Sequence, residues 1–141
     1  MIIVNVKGGL GNQLFQYAVG RSVSLHHGVA LKLDVSSYKN YSLHTGFRLD
    51  DFHIDASIAP TQEVLRFKGG AGSAGRIARK FMPWLTPNYY SETQRAIYDP
   101  EVFRRAKRYL DGYWQNEQYF TGIRDVLVQD FRQRARLSDQ S

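Results

Sequence analysis

The stretch Met1-Ile2-Ile3-Val4-Asn5-Val6-Lys7-Gly8-Gly9-Leu10-Gly11-Asn12-Gln13-Leu14-Phe15-Gln16-Tyr17-Ala18 decides the fold. Ile2 to Val6 is mostly β-branched and almost continuously apolar, as in a strand covered on both faces. Three glycines follow, letting the backbone turn sharply without a Cβ in the way. Asn12 is then placed to cap a helix over Gln13–His27. Leu14, Phe15, Ala18, Val19, Ser22 and Leu25 recur at helical spacing along its buried stripe. Gly28 stands where a left-handed C-terminal residue is needed, and Val29–Leu33 resumes as a second strand ending at Asp34. Strand, helix and strand in that order predict a βαβ unit with parallel pairing and a right-handed crossover. The expected class is α/β, a Rossmann-like parallel sheet with flanking helices in a single domain over residues 1–141.

Outward from that unit the signals are weaker. Phe47–Ile54 reads as an extended piece and Thr61–Phe67 as a short helix. From Val64 through Ser91 there is no acidic residue, while Arg66, Lys68, Arg76, Arg79 and Lys80 add positive charge. With Gly69, Gly70, Gly72 and Gly75 in the same region, residues 65–91 read as a glycine-rich basic loop or insertion flanking a short basic helix. Asp99-Pro100 is a helix start, Asp as cap and Pro at the first helical position. Arg108–Tyr113 reads as a strand and Asn116–Arg136 as a long helix, burying Tyr119, Phe120, Ile123, Val126, Leu127 and Phe131.

Composition bounds the partners. The net charge is +6 and the isoelectric point about 9.7, which favours anions: nucleic acid, a phosphorylated small molecule or an anionic membrane surface. With no cysteine, disulfides, thiolate metal sites and cysteine nucleophiles are excluded. The first strand starts at Met1 with no leader pattern before it, and no window has the ~18–20 apolar residues of a membrane span. The expected compartment is the cytoplasm.

The glycine loop is the main chemical feature. A helix starting just after it offers free N–H groups and a partial charge of ~0.5, suited to phosphate. The plainer alternative is a tight βα turn with Asn12 as a simple cap. Gly70-Ala71-Gly72-Ser73-Ala74-Gly75 matches a dinucleotide fingerprint by letter, yet no strand precedes it and no acid stands at Arg95 or Ala96, where the ribose partner belongs. It reads as a loop. Asp34, at the end of the second strand, is the candidate catalytic base, with turn capping as its alternative role. Asp50, Asp51, His53, His26 and His27 show no partner pattern and read as surface. No Asp-x-Asp occurs, which argues against metal-bound nucleotide chemistry.

Gly8 to Ala18, with Gly20-Arg21 after it, resembles the opening of the α-1,2-fucosyltransferases, glycosyltransferase family 11. Leu110-Asp111-Gly112-Tyr113-Trp114-Gln115-Asn116-Glu117-Gln118-Tyr119-Phe120 is similar to a second segment of that family. The resemblance implies one half of a GT-B-type enzyme with two facing Rossmann-like domains. It implies inverting transfer of L-fucose from GDP-fucose to the 2-hydroxyl of a galactose-containing glycan, with no metal and no cofactor beyond the donor. Gly9, Gly11, Asn12 and Gln13 would face the donor. Tyr113, Trp114 and Gln115, which follow a strand, read either as the wall of a sugar site, by stacking and hydrogen bonding, or equally as core aromatics. The implied partners are GDP-fucose and a galactose-terminated glycan or lipid-linked oligosaccharide, not nucleic acid, with peripheral contact at the inner membrane. The family's His-x-Arg-Arg-x-Asp motif does not occur in this chain, since Arg104-Arg105 lacks both flanking residues. The expectation is therefore that a C-terminal donor-binding domain lies beyond Ser141 and that the chain alone is inactive. The competing reading is a nucleotide- or nucleic-acid-binding α/β module without transferase activity.

Overall fold

Alternation along the first strand sets the layers. Ile2, Val4 and Val6 pack into one core and Ile3 into the core on the opposite face, all four fully buried. The computed structural model describes residues 1–39 and 46–134. It has β1 (Ile2–Asn5), α1 (Leu10–His27), β2 (Leu31–Asp34), β3 (Ser57–Ile58), α2 (Thr61–Lys68), α3 (Gly72–Phe81), β4 (Tyr89–Ser91), β5 (Arg108–Asp111) and α4 (Arg124–Asp130). The strands form one five-stranded sheet in the order β3-β2-β1-β5-β4, and every pair is parallel. Ile2 to Asn5 runs in register with Leu31 to Asp34 on one side, and Ile2 to Val4 with Arg108 to Leu110 on the other.

The two faces are unequal. Beneath α1 lie Tyr17, Val19, Val23, Leu33, Leu49, Leu110, Trp114 and Tyr119, each at most 1 % exposed. Burying one side chain of this size stabilises the fold by about 1.5–3 kcal/mol. Gly20 allows the close approach: a Cβ there would sit 2.9 Å from Leu31 Cδ1 and 3.2 Å from Val4 Cγ1. The other face is covered more thinly, by Ala59, Val64 and Phe67 against Ile3 and Tyr109. The chain leaves one sheet edge at β3 and re-enters at the other through β4, so α2 and α3 carry it across this second face.

The parallel βαβ unit and the left-handed Gly28 stop (φ 65°, ψ 38°) are as the sequence indicates. Five expectations are corrected. Helix α1 begins at Leu10, with Gly9 as its N-cap, so Asn12 lies inside the first turn and caps nothing. The second strand is Leu31–Asp34, since Val29 N–H is drawn back to Ser24 O at 3.0 Å in the helix stop. Residues 65–91 are not mainly loop: they complete α2, form α3 and end in β4, which the sequence pattern did not indicate. The long helix expected over Asn116–Arg136 is two 3-10 turns (Glu117–Tyr119, Thr121–Ile123) followed by the short α4. Asn116 accepts from Gln118 N–H at 2.9 Å, which winds the first turn tightly, and Gly122 weakens helix continuity. Arg136 falls outside the described residues. Phe47–Ile54 contains a 3-10 turn over Leu49–Asp51 instead of a strand. Among the described residues no helix is long and apolar enough to cross a membrane.

Candidate functional site

Parallel α/β sheets present ligands at the carboxyl ends of their strands, where the following loops diverge. Here the central strands β1 and β5 end side by side, at Asn5 and Asp111. Beyond them lie the glycine loop and Gly112-Tyr113-Trp114-Gln115, the two segments that carry the family resemblance. They are joined directly. Gln115 Nε2 donates to Asn12 Oδ1 at 2.8 Å, and Gln16 Nε2 donates to Gly112 O at 3.2 Å. Gln16 Oε1 also accepts from Lys7 N–H at 2.9 Å, so one fully buried amide ties both loops to α1.

Each glycine of the first loop has a separate reason. Gly8 has φ +81°, and a Cβ on it would press on Asn12 Nδ2 at 2.6 Å, so this position demands glycine for the turn itself. Gly9 and Gly11 are exposed, and a Cβ on either would meet no atom within 4 Å. Nothing inside the protein forbids a side chain at those two positions, and the backbone there is open to an approaching ligand. Gln13 is fully buried. Its amide donates to Gly8 O and Gly46 O, each at 3.1 Å, and accepts from Arg48 N–H at 2.9 Å. Gln13 thus shapes the loop from beneath and does not present its side chain at the surface.

Asp111 is the group the sequence reading passed over. Its Oδ1 accepts from Asn5 Nδ2 at 3.0 Å and pairs with Lys7 Nζ at 3.1 Å, and its Oδ2 accepts from Tyr89 OH. Burial works to raise its pKa, but the bonds from Tyr89 and Asn5 and the charge of Lys7 hold it below the usual carboxylate value. Of the Asp111 side chain 22 % remains exposed, and of Lys7 30 %. Asp34 is different. It is 2 % exposed and accepts from Ser36 N–H at 3.0 Å and Tyr109 OH at 2.5 Å. Its geometry is that of a buried structural carboxylate.

Tyr113 stands at the mouth between two cations, with Lys7 Nζ 4.9 Å and Arg95 Cζ 4.8 Å from its ring centre. Trp114 is core, 1 % exposed and stacked on Tyr90, and it pays for its place with a positive φ of 59°. A non-glycine residue in that region costs on the order of 1–3 kcal/mol and persists only where its neighbours enforce it. Glu92 does so, accepting from Tyr113 N–H at 3.0 Å and Trp114 N–H at 3.2 Å. Lys7, Asn5, Glu92 and Asp111 were legible only as strand-end polar residues, a signal shared with ordinary turn formers.

The fold and the site together describe a parallel α/β chain with polar and charged side chains clustered at the ends of its central strands. Comparison with known proteins adds a relative. Over 134 residues the chain is 34% identical to an α-1,2-colitosyltransferase from Escherichia coli. The match covers 93% of this chain and 44% of that protein, so the chain spans less than half the length of this relative. The homologue is a glycosyltransferase. No family model matches the chain, and no solved structure matches it.

Proposed function

We propose that this chain supplies one wall of the active-site crevice of an α-1,2-glycosyltransferase. The donor is a GDP-activated 6-deoxy sugar of the fucose type, and the acceptor is the 2-hydroxyl of a galactose-containing glycan. The observation that carries the reading is the Asn12–Gln115 hydrogen bond, which brings the two distant family-like segments into one site. The relative's activity supports α-1,2 transfer, and colitose is fucose without its 3-hydroxyl, so both sugars fit one donor class.

An inverting displacement needs a group to take the proton of the acceptor hydroxyl and positive charge beside the departing diphosphate. In this reading Asp111 is the carboxylate that receives the proton, being ionised and partly open at the crevice floor. Lys7 and Arg95, both packed on the Tyr113 ring, supply cationic charge at the mouth. Gly9 and Gly11 admit the ligand to the first turn of α1, while Asn12 and Gln115 hold the two loops together. Asp34 is reassigned from base to scaffold. A second, donor-binding half in a GT-B-type arrangement would close the crevice.

The test is a transfer assay offering GDP-fucose and GDP-colitose separately, with a terminal galactoside, to the chain alone and with a separately expressed second half. Product from the pair with one of these donors, and none from the chain alone, is the expected result. No product with either donor under both conditions overturns the reading.

A further inference from the structure

We infer that α3 and the 3-10 turn after it form a docking surface for an anionic lipid bilayer. Helix α3 is unusual in this molecule because Gly75 is its only buried residue. Its Ile77 (51%) and Phe81 (64%) stand exposed, as do Trp84 (71%) and Leu85 (58%) in the turn Pro83–Leu85. Helix and turn adjoin and pack on one another, so the four exposed apolar side chains belong to neighbouring elements. Scattered exposed apolar residues mean little, but a concentration of large ones on two adjoining elements marks an interaction surface.

Charge selects the occupant. Arg76 and Lys80 are exposed on α3 itself and Arg66 on the preceding α2, and no acid occurs from Val64 through Ser91. Arg79 is used internally, donating to Lys68 O at 3.2 Å and Gly70 O at 3.0 Å. A second copy of the chain would bring like charge against like charge. Anionic headgroups above an acyl boundary meet both needs, taking Lys and Arg at the phosphates and Trp, Phe and Ile below them. Tryptophan in particular favours that boundary.

Placement is compatible with a working crevice. The turn Pro83–Leu85 leads into β4, and Arg105, just before β5, donates to Pro87 O at 3.0 Å. The apolar turn is therefore at the amino ends of the strands, and the crevice is at their carboxyl ends. Docking through α3 leaves the crevice away from the lipid. The inference does not rest on the glycosyl-transfer reading.

The experiment is vesicle co-sedimentation of the full chain with phosphatidylcholine alone and with phosphatidylcholine plus phosphatidylglycerol, at low and high salt. Binding is expected only to the anionic vesicles and is expected to weaken with salt. The chain has two tryptophans. Trp114 is buried, so a blue shift of emission on binding reports Trp84. The pair Arg76→Gln with Lys80→Gln is expected to lower the partition coefficient about 25-fold, from roughly fivefold per basic residue. The pair Phe81→Ser with Trp84→Ser is expected to lower it at least about tenfold. Both pairs are exposed, and an unchanged thermal melt confirms that the fold survives. Absence of anionic-vesicle binding, or binding that both variant pairs leave unaltered, overturns the proposal. So does self-association that is abolished by the same substitutions without any vesicle binding, which would make the face a protein interface.

Discussion

Two glycine-rich segments, Gly8–Gly11 and Gly69–Gly75, look alike as strings of letters and differ in every physical respect. The first follows a buried central strand, opens onto the crevice and is held by Gln13, Gln16 and Asn12. The second follows a helix. Gly69 (φ +85°) ends α2, and a Cβ on it would collide with the Thr86 side chain. Gly75 packs against the backbone of Gly70, where a Cβ would also collide. Glycine in the second segment serves chain packing at Gly69 and Gly75 and left-handed backbone at Gly69, Gly70 and Gly72, whereas two glycines of the first have no internal reason to lack a side chain. What precedes a glycine run, strand or helix, decides its meaning more than its spacing does.

The largest effect expected from this contrast is at Asp111. Asp111→Asn, assayed in an assembled, active transferase, is expected to lower turnover about 10²–10⁴-fold with little change in melting temperature. Asp34→Asn is expected to act chiefly on stability, by about 1–3 kcal/mol, because it disturbs a buried bonded carboxylate. If Asp34→Asn abolished turnover in a fully folded protein while Asp111→Asn did not, the two roles would have to be exchanged.

Alkaline titration sharpens the same contrast. The crevice side of the sheet is tied by tyrosines that donate to carboxylates, Tyr89 to Asp111 and Tyr109 to Asp34, while residues 69–81 contain no acid. Burial first, and the adjacent carboxylate next, raises the pKa of Tyr89, as it does for Tyr17 and Tyr90; for Tyr109 the charge of Asp34 adds to burial. A raised folded value means the proton is held more tightly in the native state. The associated stability is fully present below the ordinary tyrosine value of about 10 and is lost as pH rises above it. The urea midpoint is expected to fall above about pH 10, with tyrosinate absorbance from Tyr17, Tyr89, Tyr90 and Tyr109 appearing only as the fold opens. Tyrosinate signal from all nine tyrosines in a still-folded chain would contradict this.

Smaller effects separate the glycines. Gly8→Ala is expected to cost on the order of 1–2 kcal/mol in global stability, from its left-handed backbone. Gly75→Ala is expected to loosen α3 alone, seen as faster amide exchange over residues 72–81 with the global midpoint nearly unchanged. Gly11→Ala is expected to be the mildest, neutral or stabilising by up to about 1 kcal/mol, since it lies in a helix with open space around it. Transfer should nonetheless fall, and fall further for Gly11→Val, because the Cβ enters the ligand's space. Full transfer in Gly11→Val would leave the first loop with a turn-forming role only.

The sequence showed the βαβ unit because local signals there agree: β-branched strand, glycine turn, helical stripe and Gly28 stop all point the same way. It did not show β4, since Tyr89-Tyr90-Ser91 is too short to display a period, and its strand state comes from pairing with β5. The helix expected after Asn116 failed because its apolar residues do keep helical spacing, yet Asn116 and Gly122 break the backbone between them. At the site, the resemblance named two segments that the fold brings together, and composition could not rank the residues within them. Gln13 looked like a ligand contact and is a buried brace. Asp111 looked like the end of a strand, and only its neighbours Lys7, Asn5 and Tyr89, all distant in sequence, reveal it as a held carboxylate at an open crevice.

The central claim is that residues 8–12 and 111–115 are one binding site. Backbone amide chemical-shift mapping of the isotope-labelled chain, titrated with GDP-fucose, GDP-colitose and a terminal galactoside in turn, tests it most directly. The account expects the amides of Gly8, Gly9, Gly11 and Asn12 to shift together with those of Gly112, Tyr113 and Gln115, while Gly69 to Gly75 stay still. Shifts confined to Gly69–Gly75, or shifts in one crevice segment without the other, would contradict it.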